Sequence, residues 1–336
     1  MGGALPVDAR IAVVANDAIG NFVVATPLLQ MLRATFAPCA IHYYGGNRTS
    51  ELESASDLMD ARFPLHGSSV QDSARHILAS VAEGRPYHLV VNNEWTPFAK
   101  AMTALLSGPD TWVVGPCLNE SRGDLPFADD EVGRLAADEH WVSESLTERF
   151  PFLSSAFIGE IFCRLAYLKG PIPAYRVPQD APTCAACEVV IAPSASLPEK
   201  LWPAAKWLET LRWLRAKGVS VGLVGAKPGD QKHFWKGSDV EESLLAEDLA
   251  IDLRGSMTLP QVVGLLDQAK VALGVDNGIL HLAAATKAET VGLFRRGIHR
   301  LWASPSPRLS VLTHGEGETV ADIPLDCVKE CLLNAI

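Results

Sequence analysis

Three polar segments carry the residues that could do chemistry, and each follows an apolar run of strand length and leads into a helix-like stretch. The first segment is 16-NDAIGN-21. Within it, Gly20 would let backbone approach a ligand closely, and Asp17 or Asn21 could act on a substrate. Helix capping alone explains the same two polar residues, so both interpretations stay open from this segment.

The second segment, 193-PSASLPEKLWP-203, combines serine hydroxyls with Lys200 just before Pro203, and proline suits the first position of a helix. Hydroxyls, free backbone N–H groups and one lysine at a helix N-terminus are well suited to bind a diphosphate. A solvated lysine beside an ordinary turn is the alternative interpretation.

The third segment, 276-DNGILH-281, follows the apolar run 271–275 and opens a predicted helix. Asp276 would by default be a cap, the Asn-Gly pair a tight turn, and His281 a core or cap histidine. However, Asp, Gly and His within six residues at the end of a buried strand are costly if nothing binds there. The segment therefore favours a ligand site.

These segments are positioned by a pattern of elements that occurs twice, in which strand-length apolar runs alternate with amphipathic helix-length stretches. In the first half the predicted strands are 10–15, 40–44, 61–65, 87–92 and 111–115, with helices at 21–36, 70–83 and 96–107. In the second half the predicted strands are 188–192, 219–224, 271–275 and 290–294, with helices at 203–217, 258–269 and 277–286. The pattern is typical of parallel α/β units.

The length of 336 residues predicts two domains. The proline-rich stretch 171–187 has little periodicity and is predicted to be a linker between domains 1–170 and 188–336. Open parallel sheets bind ligands outside the carboxyl ends of their strands, so two such domains would enclose a ligand in a cleft between them. The irregular, acidic segment 118–141 is expected to overhang the ligand face of the first domain.

The net charge of −10 is concentrated in the first half of the chain. Residues 1–180 hold 13 basic and 21 acidic side chains, a balance of −8, whereas residues 181–336 hold 16 and 18, a balance of −2. Nucleic acids and anionic membranes require clustered Lys and Arg, so neither is expected as a partner. The ligand of the first half is expected to be neutral or cationic.

Other sequence features limit the compartment and the cofactors. No signal-peptide pattern and no apolar run of about 20 residues is present, which predicts a cytoplasmic protein without a membrane span. The seven cysteines, an odd number, fit reduced thiols. Walker A and G-x-G-x-x-G patterns are absent, and so is the Asp-x-Asp pair that holds a metal on nucleotide sugars. A sugar transferase with this sequence is expected to need no metal and no cofactor.

Taken in order, the motifs resemble glycosyltransferase family 9, the heptosyltransferase-like enzymes. The motifs that carry the resemblance are D-A-I-G-N, P-S-A-S-x(3)-K-x-W-P, D-L-x-G-x-x-T-L and D-N-G-x-x-H-L-A-A-A. The match is strong over 188–295 and weak over 45–185. The resemblance implies the α/β GT-B fold, with two Rossmann-like parallel-sheet domains facing across a cleft. It also implies that the first domain binds the acceptor, that the second binds the nucleotide sugar, and that transfer inverts the anomeric centre without metal.

The resemblance further implies roles for individual residues. Lys200, with Ser194 and Ser196, would contact the donor diphosphate, and Met257 and Thr258 would lie where the backbone reads the base. The remaining donor-binding residues would be Asp276, Asn277, Gly278 and His281, and the acceptor-binding residues would be Asp17, Gly20 and Asn21. The implied partners are a GDP- or ADP-linked sugar and a small-molecule acceptor, and a homodimer stays open.

One departure from the family pattern concerns catalysis. The family has an aspartate directly after the glycine of the first motif, where it takes the proton of the acceptor hydroxyl, and this chain has Asn21. An amide cannot take that proton, and general-base assistance is typically worth about 10² to 10⁴ in rate. Three accounts remain: Asp17 takes over, the acceptor needs no base, or the protein binds a nucleotide sugar without turnover.

The second account points to a sulfur acceptor, because a thiolate or thione is already nucleophilic near neutral pH. In this respect the chain is similar to the S-glycosyltransferases of lincosamide antibiotic biosynthesis, which use ergothioneine. An ordinary lipopolysaccharide heptosyltransferase is the alternative, although it would need a basic acceptor face. The predicted mechanism is a single in-line displacement, in which Lys200 stabilises the leaving diphosphate and Asn21 orients the acceptor.

Overall fold

The computed structural model describes residues 5–66, 70–82, 86–227, 236–314 and 319–336. The chain divides into two compact units, Met1–Arg176 and Val177–Ile336. Each unit is built on one sheet whose neighbouring strands are all parallel. The prediction of an α/β protein with two parallel-sheet units is confirmed.

The first unit has a five-stranded sheet in its described part. Its strands are β1 (Ala9–Val14), β2 (Cys39–Gly46), β3 (Ala61–His66), β4 (Leu89–Asn92) and β5 (Trp112–Val114). Its helices are α1 (Ile19–Phe36), α2 (Ser50–Ala55), α3 (Val70–Ala82), α4 (Pro97–Leu106), α5 (Glu131–Ala136), α6 (Leu146–Arg149) and α7 (Ile158–Leu165).

The strand order of the first sheet is β3-β2-β1-β4-β5. The central strands have the near-continuous apolar sequences ARIAVV and LVVN, because strands buried on both faces of a parallel sheet need not alternate. The chain builds outward from β1 to β3 on one side and then crosses back to add β4 and β5 on the other. The carboxyl ends of β1 and β4 are therefore neighbours at the point where the strand order reverses, with Val14 opposite Asn92.

The second unit has a six-stranded sheet in its described part. Its strands are β6 (Val189–Ala192), β7 (Val221–Leu223), β8 (Ile251–Asp252), β9 (Val271–Val275), β10 (Glu289–Leu293) and β11 (Leu309–Leu312). Its helices are α8 (Ala204–Ala216), α9 (Ser238–Ala246), α10 (Leu259–Gln268), α11 (Gly278–Ala283), α12 (His299–Trp302) and α13 (Leu325–Ala335).

The second sheet has the order β11-β10-β9-β6-β7-β8, so its reversal lies between β6 and β9. Trp202 and Trp207, both fully buried, meet edge to face at 5.3 Å between ring centroids in the core beside this sheet. The reversal brings the loop after β6 beside the loop after β9, with Ala192 opposite Gly274. Ligands of open α/β sheets bind at such reversals.

The predicted strands and helices recur with bounds shifted by a few residues, and the largest shift is in α11, which ends at Ala283 rather than 286. Short elements without a clear period were missed, among them α2, α9 and the two-residue β8. The segment 118–141 is irregular up to α5, as expected. In the part of the chain that the structure describes, no helix is long and apolar enough to cross a membrane.

Candidate functional site

In the second unit, three predicted donor-site residues meet at the sheet reversal. The Lys200 ammonium lies 2.7 Å from Oδ2 of Asp276 and donates to the Asp276 backbone carbonyl at 3.2 Å. His281 Nε2 lies 3.5 Å from Oδ1 of the same carboxylate. Lys200 follows β6, whereas Asp276 and His281 follow β9, so the strand order is what brings them together.

The Asp276 carboxylate is almost completely buried and stays ionised. Burial by itself raises the pKa of Asp276, but the hydrogen bond from His281 and the positive charge of Lys200 outweigh burial and hold the pKa at about 2. A buried carboxylate of this kind fixes the position of the Lys200 ammonium. An ammonium held in this way can donate hydrogen bonds to an anion such as a phosphate.

Asn277 has a structural role. Its side-chain oxygen caps α11 by accepting from the Leu280 N–H, and its amide donates to the backbone carbonyls of Ala192 and Ser194. The amide therefore ties the loop after β6 to the start of α11. Gly278 is the first residue of that helix.

A buried ionic network supports the loop that carries Ser194. The Ser194 hydroxyl donates to Glu241 at 2.5 Å, and the guanidinium of Arg254 pairs with Glu241 at 3.1 Å. Arg254 also pairs with Asp252 and Glu242, both at 2.8 Å. Glu241 and Arg254 are buried, and these charges raise the pKa of Arg254, with the hydrogen bonds to Asp252 contributing most.

The other predicted donor residues lie apart from this cluster. Ser196 is exposed in the loop after β6, and Met257 is half-buried, with its sulfur 3.9 Å from the thiol of Cys184. Thr258 caps α10 through its hydroxyl in a reciprocal arrangement with Gln261. The structure thus gives the Thr258 side chain a capping role, whereas the prediction concerned the backbone of this segment.

In the first unit, Asp17 is held by an ion pair. Its carboxylate lies 3.2 Å from Nε of Arg48, which also donates to the Asp17 backbone carbonyl. Gly46, at the end of β2, permits this arrangement, since a Cβ on that residue would lie 2.0 Å from the Asp17 Cβ. Asp17 therefore does not cap α1, whose N-cap position is Ala18.

Gly20 and Asn21 lie in the first turn of α1, and Asn21 faces a carboxylate that the sequence analysis did not single out. The Asn21 amide is 3.5 Å from Oε1 of Glu94, and the Asn16 amide donates to the same oxygen at 2.6 Å. Glu94 follows β4, so the reversal between β1 and β4 brings these groups together.

Glu94 carries a strongly perturbed carboxyl group. Burial raises its pKa, the amides of Asn21 and Asn16 lower it, and the negative charge of Asp17 raises it again, with a net value of about 7 against the usual 4.5. Because the folded-state pKa is above the unfolded one, the native state holds the proton more tightly. Stability is then lost as the pH rises from about 4.5 to 7.

We expect the substitution Glu94→Gln to remove this loss while keeping an oxygen that the two asparagine amides can donate to. At pH 4 the variant and the parent should be equally stable. At pH 8 the variant should be more stable by about 3 kcal/mol, because each pH unit between the unfolded and folded pKa values changes the free energy of unfolding by about 1.4 kcal/mol. Urea denaturation at several pH values checks this, and a stability difference that does not change with pH would contradict the raised pKa.

The residues missed by sequence analysis differ in how strong a signal the sequence contained for each of them. Glu94 ends the polar run Asn92-Asn93-Glu94 directly after a buried strand, which is the criterion that found the other three segments. Arg254 lies within a matched motif but at its variable position. Glu241 lies in a short acidic helix without any local signal of burial. Among the described residues, no group of three or more His, Cys, Asp or Glu side chains could hold a metal ion.

Comparison with known proteins gives a family match for one part of the chain. Residues 175–329 match the sequence model of glycosyltransferase family 9 (heptosyltransferase). A curated relative, lipopolysaccharide heptosyltransferase 3 of Escherichia coli, is 29% identical over 114 residues. That match covers 34% of this chain and 33% of the relative, about a third of each.

Solved structures match over nearly the whole chain. The glycosyl transferase family 9 protein from Veillonella parvula has a TM-score of 0.72 at 12% identity, covering 98% of this chain and 97% of that one. The E. coli ADP-heptose lps heptosyltransferase II has a TM-score of 0.65 at 19% identity, covering 97% and 98%. At such identities the likeness shows the fold, which agrees with the GT-B fold expected above. By the family match of its second unit and the fold of both units, the protein is similar to the family 9 glycosyltransferases, and this similarity indicates a transferase enzyme.

Proposed function

We propose that the protein transfers a sugar from a nucleoside-diphosphate donor to a small-molecule acceptor, with inversion at the anomeric carbon and without a metal. The observation that carries this proposal is the meeting of Lys200, Asp276 and His281 at the reversal of the second sheet. The cluster fixes an ammonium group where open α/β sheets bind phosphates. The donor is a GDP- or ADP-linked sugar, and the ADP-heptose in the name of one structural relative favours ADP.

The donor half of the reaction needs stabilisation of the leaving diphosphate. As the bond from the anomeric carbon to the diphosphate oxygen breaks, negative charge grows on that oxygen. Lys200 is held in place by Asp276, so it would meet this charge without reorganising. Serine hydroxyls and backbone N–H groups of the loop after β6 would bind the remaining phosphate oxygens.

Two classes of acceptor are compatible with the acceptor half of the reaction. A thiol or thione such as ergothioneine, as in antibiotic biosynthesis, fits Asn21 because such sulfur groups are nucleophilic near neutral pH. A sugar hydroxyl fits the 29% identity to lipopolysaccharide heptosyltransferase 3, and its proton would have to be taken by a group other than Asn21. The balance of −8 in the first 180 residues favours a neutral or cationic acceptor over a phosphorylated one.

We expect one nucleoside diphosphate to stabilise the protein against heat more than the others. A ligand at 100 times its Kd adds about 2.7 kcal/mol to the free energy of unfolding. ADP, GDP, UDP and dTDP would be compared at millimolar concentration by differential scanning fluorimetry. The matched nucleoside monophosphate is the control, because it lacks the second phosphate.

A clear preference for one diphosphate over its monophosphate supports the donor site and identifies the base. ADP would favour a heptosyltransferase-like donor, and GDP would favour the sulfur acceptor. If none of the four changes the melting temperature, the proposed function is wrong.

A further inference from the structure

The carboxyl group of Glu94 is positioned by its own strand end. The Glu94 backbone N–H donates to the Asn92 side-chain oxygen at 2.8 Å, and the Asn92 amide donates to the Pro116 carbonyl at 2.7 Å. Asn92 is 2% exposed, so this turn after β4 is fixed from within the core. The Glu94 side chain is thereby directed to Asn16 and Asn21.

This carboxyl group has neutral rather than cationic partners. Within the described ranges, the side-chain hydrogen bonds of Glu94 come from the amides of Asn16 and Asn21, and no Lys, Arg or His lies within ion-pair distance. Partly burying a carboxylate without a cation is unfavourable, and groups perturbed in this way cluster at functional sites. Glu94 differs in this respect from Glu53, whose carboxylate forms an ion pair with the guanidinium of Arg62 at 2.6 Å.

Glu94 also places a carboxyl group close to where an aspartate at position 21 would have its own. A carboxylate there would project from the first turn of α1, and the oxygen of Glu94 lies 3.5 Å from the amide that stands in its place. The carboxyl group thus sits one hydrogen-bond length away, on the neighbouring strand end. Asp17 is less suited to this task because Arg48 holds it in an ion pair.

We propose that Glu94 takes the proton from the nucleophilic group of the acceptor, while Asn21 and Asn16 orient the Glu94 carboxylate. The inference rests on the proposed function. In the step, a lone pair of the acceptor oxygen or sulfur forms the bond to the anomeric carbon, and the bond to the diphosphate oxygen breaks with its electron pair. The acceptor proton moves to Glu94, and nothing is oxidised or reduced.

The charges around Glu94 set the pH at which it can act. The negative charge of Asp17, itself paired with Arg48, disfavours ionisation of Glu94. The negative charge of Glu94 in turn raises the pKa of the buried Tyr43 hydroxyl on β2. Glu53 is a further negative charge near Tyr43 and is compensated by Arg62. With a pKa of about 7, Glu94 is a base of suitable strength near neutral pH, and activity should fall on the acid side of that value.

The test uses the full-length protein with ADP-heptose and a GDP-linked sugar as donors, and with water, glycerol and ergothioneine as acceptors. Release of the nucleoside diphosphate is followed from pH 5 to 9. Glu94→Gln should lower kcat by about 10² to 10⁴-fold with a hydroxyl acceptor and by less with the more nucleophilic sulfur of ergothioneine. It should leave the KM for the donor nearly unchanged and remove the acid limb of the pH profile. The control Glu148→Gln changes an exposed carboxylate on α6 and should behave as the parent.

A carboxylate-exchange variant distinguishes proton transfer from a structural role. Glu94→Gln combined with Asn21→Asp returns a carboxylate about one hydrogen-bond length from the original one. The kcat of this double variant should be at least tenfold higher than that of Glu94→Gln alone. If the Glu94→Gln defect were structural, the added aspartate would not repair it.

The outcomes separate the inference from the proposed function. A Glu94→Gln protein that keeps the parental kcat and acid limb overturns the inference and leaves the proposed function standing, as does failure of the exchange variant to recover activity. A parent protein that neither binds nor consumes any nucleotide sugar overturns both.

Discussion

Substituting Lys200 with methionine is expected to lower the turnover number by about 10² to 10³-fold. The expected size is that of removing one preorganised donor from a charge that develops in the transition state. Methionine keeps much of the aliphatic length of lysine but cannot offset the charge on the leaving diphosphate. The measurement is nucleoside diphosphate release under saturating donor, at the pH optimum of the parent protein.

The control for Lys200→Met must separate charge from folding, because the variant also leaves Asp276 without its ammonium partner. Lys200→Arg keeps a cation in the site and should retain more activity than Lys200→Met. Lys287→Met removes a lysine whose side chain is 80% exposed and should leave turnover unchanged. Parental turnover by a folded Lys200→Met protein would remove this lysine from the mechanism.

Substituting Arg254 with methionine is expected to lower the free energy of unfolding by about 3–5 kcal/mol, because it breaks a buried ion pair by removing one partner. The Glu241 side chain is fully buried, and the Arg254 side chain is only 3% exposed. Loss of the guanidinium would remove a positive charge from beside the buried carboxylate of Glu241. Urea denaturation of the variant and the parent measures the difference.

The double variant Arg254→Met with Glu241→Gln removes both charges of the pair and should regain most of the lost stability. Arg212→Met is the matched control, since Arg212 pairs with Glu247 at 2.6 Å on the exposed surface and such pairs contribute at most about 1 kcal/mol. If Arg254→Met costs no more than Arg212→Met, the buried pair is not what stabilises this part of the second unit.

The two networks have different tasks in the second unit. Under the proposed function, the cluster of Lys200, Asp276 and His281 would contact the ligand, whereas Glu241, paired with Arg254, accepts a hydrogen bond from the Ser194 hydroxyl. Loss of the second network should therefore weaken nucleotide binding through the loop after β6, while loss of Lys200 acts on the chemical step. Measuring nucleotide affinity for both variants would show this division.

Sequence periodicity by itself determined that the chain has two parallel α/β units. The spacing of apolar residues along a segment depends on which of its faces is buried, so it indicates strands and helices without knowledge of the rest of the fold. The polar segments at strand ends were equally visible, since a run such as 276-DNGILH-281 directly after an apolar strand is unusual. The lysine of the second segment and the aspartate of the third were singled out in this way. Glu94 meets the same criterion and could have been found.

Only the tertiary structure decided which of these strand ends are neighbours. Lys200 and Asp276 are 76 residues apart, and Asn16 and Glu94 are 78 apart. They meet because β9 lies beside β6 and β4 beside β1, and strand order depends on packing of whole crossover units rather than on local pattern. The same physical reason explains why a carboxyl group on one strand end can stand beside the asparagine on the first turn of α1.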